Sequence, residues 1–266
     1  MRRDWLLAIV AFALGLALTA GAQERAAART LFVFYEQRDK AGGADADVDI
    51  YLQRLTEAGR TGWEGHPGSL PVATAKDFET APAACEDGAG GAIVAYEYRF
   101  ASGQDAGDKD IVAQRVDASG KALWNNGDSP VPVASSKGTE RHPLVVSDGR
   151  GGAIVVYEWL GEKKDVDLMA QRVDGQGRLL WGEGQRSVAV ATSPANERRA
   201  VAVPDGQGGV IVVFEWEGEN GDMDVMAQHI SASGEVLWNE ASEPPTSPPR
   251  TIPSAVLPPS RTARAA

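Results

Sequence analysis

HPLVVSDGRGGAIVVYEWLGEKKDVDLMAQRVDGQGRLLW, from His142 to Trp181, decides the fold because it carries three strand signals separated by glycine-rich punctuation. HPLVVSD (His142 to Asp148) is a short apolar run that stops at DGRGG, a turn whose glycines reach positive φ without steric cost. AIVVYEW (Ala153 to Trp159) is β-branched and apolar at consecutive positions, the pattern of a strand covered on both faces. DLMAQRVD (Asp167 to Asp174) predicts a third strand, GQGRLLW (Gly175 to Trp181) the turn out of it, and VAVAT (Val188 to Thr192) a fourth. No segment sustains a helical period, so the unit reads as a four-stranded antiparallel meander.

The same unit recurs along the chain. Trp63, Trp124, Trp181 and Trp238 stand at intervals of 61, 57 and 57, and Asp49, Asp110, Asp167 and Asp224 keep the same intervals. Gln53, Gln114, Gln171 and Gln228 do so as well, while Glu36, Glu97, Glu158 and Glu215 mark the preceding strand. From that Glu to the Asp the chain runs 13, 13, 9 and 9 positions, so length variation is confined to one loop of each repeat. Short-stranded units with two apolar faces must pack on neighbours. This predicts an all-β, β-propeller-like array of four repeats of 57 to 61 residues over 23–257.

The ordered pattern DGxGGxIVVxE followed by DxxAQRVDxxGxxLW resembles the propeller-type repeat arrays of secreted bacterial proteins across Leu31 to Trp238. That resemblance implies a propeller fold and export, and names no substrate. The sialidase Asp-box pattern S-x-D-x-G-x-T-W and WD-type signatures are absent. Repeat one begins at LFVFYE (Leu31 to Glu36) without the strand that precedes this segment elsewhere. Two readings follow for the C-terminal region: RTIPSAVL (Arg250 to Leu257) supplies that strand and closes a four-bladed ring, or the proline-rich end is a solvated tail and the array is open or paired. Residues 258–266 read as a disordered tail.

The N-terminus reads as an export signal. Arg2 and Arg3 precede an apolar run from Trp5 to Leu18, and Ala20-Gly21-Ala22 supplies the small residues for cleavage after Ala22. A formal net charge of −11 disfavours nucleic acid as a partner, since nonspecific binding of phosphates runs on clustered Lys and Arg. A single cysteine, Cys85, excludes an intramolecular disulfide and every CxxC zinc scheme. No second apolar run predicts membrane insertion of the mature chain.

Candidate chemistry gathers at the variable loop. Glu36 with Asp47 and Asp49, Glu97 with Asp108 and Asp110, Glu158 with Asp165 and Asp167, and Glu215 with Asp222 and Asp224 flank it in the four copies. Such hard oxygen donors suit calcium as a cofactor, or the Asp residues only cap the loop through backbone N–H groups. Tyr98, Trp159 and Trp216 sit beside the loop as candidate ligand contacts, whereas the four repeated Trp read as core. Arg54, Arg115 and Arg172, with His229 in the fourth copy, read as bonds between repeats.

The sequence therefore favours a secreted, noncatalytic binding or scaffold protein whose ligand face is built from the variable loops. Its expected partners are an extracellular glycan, a peptide or an envelope protein. The alternatives are a polysaccharide hydrolase or lyase using loop carboxylates, and an assembly module that works as an oligomer.

Overall fold

A computed structural model describes residues 31–38, 48–55, 63, 68–74, 78–99, 109–161, 165–184, 186–218 and 221–238. Among them fourteen strands in three hydrogen-bonded sheets follow the repeat order, and the seven-stranded one is made of two meanders, called the first and second sheets. The first sheet holds β1 (Leu31–Arg38), β2 (Val48–Leu55) and β3 (Leu70–Ala73). The second holds β4 (Phe78–Glu86), β5 (Ala92–Arg99), β6 (Lys109–Val116) and β7 (Val131–Ala134). A single parallel bridge, Val48 to Phe78, joins these two. The third sheet is β8 (Thr139–Ser147), β9 (Ala153–Leu160), β10 (Val166–Val173) and β11 (Val188–Ala191). The fourth is β12 (Asn196–Pro204), β13 (Val210–Glu217) and β14 (Met223–Ile230).

The chain is thus all-β and built of antiparallel meanders, as the repeat pattern predicts. A closed four-bladed ring is not among the features shown by the described residues. The signal segment 1–22 and the segment Arg250 to Leu257 expected to close the ring lie outside them. Among the described residues no helix is long and apolar enough to cross a membrane.

Sheets pack in series, and the face of each that meets the following repeat is its forward face. Ile50 and Leu52 of the first sheet pack with Val94, Tyr96 and Val112 of the second. Ile111 and Ala113 of the second pack with Val155 and Tyr157 of the third, and Leu168 and Ala170 of the third with Val212 and Phe214 of the fourth. Alternation along a strand sends successive side chains to opposite faces, which is why the central strands are apolar throughout.

Each DGxGG turn is held by its own aspartate. Asp148 Oδ1 accepts the N–H of Arg150 (2.8 Å) and of Gly152 (2.9 Å), and Asp87 and Asp205 do the same in their turns. A Cβ on Gly152 would lie 2.3 Å from the Val173 carbonyl oxygen, so the chain's close approach requires glycine there. The other oxygen, Asp148 Oδ2, accepts from Arg172 Nε (3.1 Å) and Nη2 (2.9 Å), while Arg172 Nη1 reaches the Ala232 carbonyl of the next repeat (2.8 Å). Arg115 bridges Asp87 to the Gly175 carbonyl in the same way, and Arg54 reaches the Ala118 carbonyl. The repeated arginines are therefore bonds between repeats.

Gln171 Oε1 accepts the Trp181 N–H (3.0 Å), which seats that indole beneath Gly234 of the following turn. Cys85 lies on β4 against the core between the second and third sheets. Burial, followed by the charges of Asp148 and Asp87, pushes its thiol pKa upward, which disfavours the thiolate.

Arg172 and Asp148 form a buried pair, so Arg172→Met strands a carboxylate and should cost about 3–5 kcal/mol in urea unfolding. Arg178→Ala, which removes only an exposed ion pair to Asp174, should cost less than about 1 kcal/mol in the same assay.

Candidate functional site

The first strand of the second, third and fourth sheets carries a β-bulge. Register slips between Thr80 and Ala83, Arg141 and Leu144, and Arg198 and Val201, and within each slip one non-glycine residue takes positive φ: Ala81 (49°), His142 (52°) and Arg199 (51°). Such a conformation costs about 1–2 kcal/mol for an L-residue and persists only where neighbours hold it. The neighbour here is the repeated Glu of the preceding sheet. Glu97 Oε1 accepts the His142 N–H (2.9 Å) and Glu158 Oε1 accepts the Arg199 N–H (3.2 Å).

Two adjacent bulges bound a cleft of about 390 Å³ between β8 and β12. Its apolar wall is Leu144, Val156, Leu168 and Ala200, and its polar groups are Arg141, His142, Glu158, Arg198 and Arg199. Glu158 is buried and accepts at Oε2 from Arg141 Nε and from protonated His142 Nδ1, both at 3.0 Å. Burial alone would raise its carboxyl. The His142 hydrogen bond and charge, with the N–H of Arg199 and Arg141, outweigh that and hold it below the ordinary value. The Glu158 hydrogen bond in turn raises His142 against a smaller opposing effect of burial, with Glu97 adding to the rise. Arg198 pairs with Glu217, and Arg199 with Glu215 at 3.0 Å. Both pairs are solvent-accessible, and such pairs exchange partners at little cost.

Within each hairpin the repeated Glu and the repeated Asp stand at offset register positions. Glu97 pairs across the hairpin with Ile111 whereas Asp110 pairs with Tyr98, which places the two acids on opposite faces of the sheet. Glu158 and Asp167, and Glu215 and Asp224, are offset identically, and Glu36 pairs with Ile50 while Asp49 pairs with Gln37. Glu97 is also taken up by Thr80 (3.2 Å) and Lys109 (2.6 Å). Asp165 and Asp222 are described and stand at the starts of their strands, whereas Asp47 and Asp108 lie outside the described residues, as does most of the variable loops expected to bind ligand. Among the described residues no three His, Cys, Asp or Glu groups are placed to hold a metal ion.

The expected aromatic contacts sit on the rear faces and do not line the cleft, although Trp216 packs in the same core cluster as the cleft's Leu144, Val156 and Leu168. Trp159 pairs with Asp167, donates its indole N–H to Ser136 Oγ (3.0 Å) and lies against Gly161. Trp216 donates to Ser193 Oγ (3.1 Å) and lies against Gly218, and Tyr98 packs with the core between the first two sheets. Ser136 and Ser193 also hydrogen-bond to Glu140 and Glu197. These two glutamates are buried, and each leaves Oε2 without a partner. Burial is the main reason both pKa values rise to about 7, opposed by the serine hydrogen bonds and reinforced by Asp110 for Glu140 and Asp167 for Glu197.

The cleft residues Arg141, His142, Arg198 and Arg199 escaped the sequence reading. The signal was present as ETA, ERH and ERR at equivalent places in three repeats, with basic pairs in two of them in an acidic chain.

No family model and no curated protein matches the chain. Among solved structures it is similar to the Hadza microbial sialidase Hz136, at 12% identity and a TM-score of 0.47, over 77% of this chain and 42% of that one. It is also similar to the polysaccharide lyase Uly1, at 12% identity and a TM-score of 0.33, over 76% of this chain and 56% of the lyase. The chain thus spans less than two thirds of either protein.

Glu140 and Glu197 hold their protons more tightly when folded, at about 7 against an ordinary 4.5. The stability they contribute is complete below 4.5 and is lost as pH rises through about 7. His142, also raised, works in the same direction. The melting temperature should therefore fall between about pH 5 and pH 8, and the double variant Glu140→Gln, Glu197→Gln should flatten the profile.

Proposed function

We propose that the chain is an exported, noncatalytic binding protein of the β-propeller type whose cleft between β8 and β12 takes an acidic glycan. The observation that carries this reading is a cluster of Arg141, His142, Arg198 and Arg199 around an apolar wall, in a chain of net charge −11. A uronate-bearing sugar offers both an apolar ring face and a carboxylate, and guanidinium groups bind carboxylates in bidentate fashion. Serial packing of the sheets, and the repeat's likeness to propeller-type arrays of secreted bacterial proteins, support the fold and compartment in this reading.

A lyase or hydrolase is the second reading, and one observation favours it. His142 stands where the sibling repeats have Ala81 and Arg199, so a potential acid or base is found in one repeat alone. Its pairing with Glu158 stabilises the imidazolium, however, which suits a cation that holds an anion better than a base that removes a proton.

Calorimetric titration with uronate-containing oligosaccharides, acidic peptides and neutral glycans tests the proposal. Binding should be confined to the uronates, and Arg141→Ala or Arg199→Ala should weaken it by about tenfold, or about 1.4 kcal/mol. Silence across the uronates would overturn the reading, binding of acidic peptides alone would replace the ligand class, and turnover abolished by His142→Ala would make the protein an enzyme.

A further inference from the structure

Among the described residues no sheet covers the forward face of the fourth sheet, although it carries apolar residues at the places that the other three sheets bury. Val225 is 76% exposed, whereas its counterparts Ile50, Ile111 and Leu168 are each 0% exposed. Trp238 is 41% exposed, whereas Trp63, Trp124 and Trp181 lie between 1% and 4%. Val203 and Met223 are exposed as well, while Val146 and Val166, at the matching places in the third sheet, are buried. Strand pairing makes the patch continuous: exposed Val201 lies opposite Val213, which lies opposite Ala227, and Glu215 lies opposite Val225.

The three interior interfaces define what fits such a face. Each is covered by the rear face of another sheet of the same repeat type, and in two of them the turn glycine of the following repeat sits over the indole, Gly177 over Trp124 and Gly234 over Trp181. Among the described residues, no strand pair and no core cluster joins the fourth sheet to the first. We propose that the forward face of the fourth sheet docks on the rear face of the first sheet in a second copy of this chain. That rear face, which carries Tyr51, is the matching surface that no other sheet packs against among the described residues. Two such head-to-tail contacts close a two-fold assembly without an open end.

One substitution fits a partner that comes and goes. Arg54, Arg115 and Arg172 each grip a carbonyl of the following repeat, but the fourth sheet has His229, which reaches Asp205 (2.9 Å) and packs edge-on against Trp238. The fourth sheet keeps the apolar half of the interface and lacks the charged grip given to a sheet tethered in the same chain. This inference is independent of the glycan reading.

Light scattering on the full chain across a dilution series tests it. The wild type should be a dimer that dissociates on dilution, and Val225→Asp should raise the dissociation constant by about tenfold or more. Val225 is solvent-exposed in the single chain, so the variant's far-UV circular dichroism should match the wild type; Ala227→Asp provides a second variant on the same face. A wild type that stays monomeric at about 200 μM, as it would if its own first sheet or C-terminal segment covered the face, overturns the proposal. So does a pair of folded variants that dimerise as tightly as the wild type.

Discussion

The contact on which the architecture depends is the carboxylate behind each DGxGG turn. One oxygen of Asp148 fixes the turn by accepting two backbone N–H groups, and the other holds Arg172 so that its remaining N–H meets the next repeat. Local turn formation and long-range packing are coupled through one buried ion pair. Neither half is free to form alone: without the arginine the carboxylate is buried unpaired, and without the carboxylate the guanidinium loses its orientation. Because the arrangement recurs at Asp87 and Arg115, each sheet is positioned by its predecessor.

Much of this was legible in the sequence. The repeat period, the strand order, the buried Trp124 and Trp181 and the bridging arginines follow from spacing, because a repeated unit preserves the residues its interfaces need. Facing was not legible. Glu97 and Asp110 are close along a hairpin, yet a one-residue offset in register separates them across the sheet. The loop lengths leave that offset open, so a cluster of acids was the natural expectation. The bulges were equally hidden, since Ala81, His142 and Arg199 are not residues that announce positive φ.

The acidic character of the chain is therefore distributed by role. Asp148 is ion-paired at a turn, Glu158 is neutralised within the cleft, and Glu140 is buried with a serine as its hydrogen-bond donor. These positions differ in how much negative charge they present to a ligand. In the cleft, Arg141 and His142 already offset Glu158, so Arg198 and Arg199 shape the field at its mouth against only accessible partners, Glu217 and Glu215.

Equal repeats cannot by themselves make a unique site, and the bulge explains where this chain departs from equality. The clasp from the preceding sheet uses the backbone N–H of the bulged residue and leaves its side chain out of that bond. Ala81, His142 and Arg199 can therefore differ while the bond that fixes their backbone stays the same in kind at His142 and Arg199. A position whose geometry is set by a neighbour and whose chemistry is free is where a repeat protein acquires function without losing its fold. The cleft lies between two such positions, with His142 on one wall and Arg199 on the other.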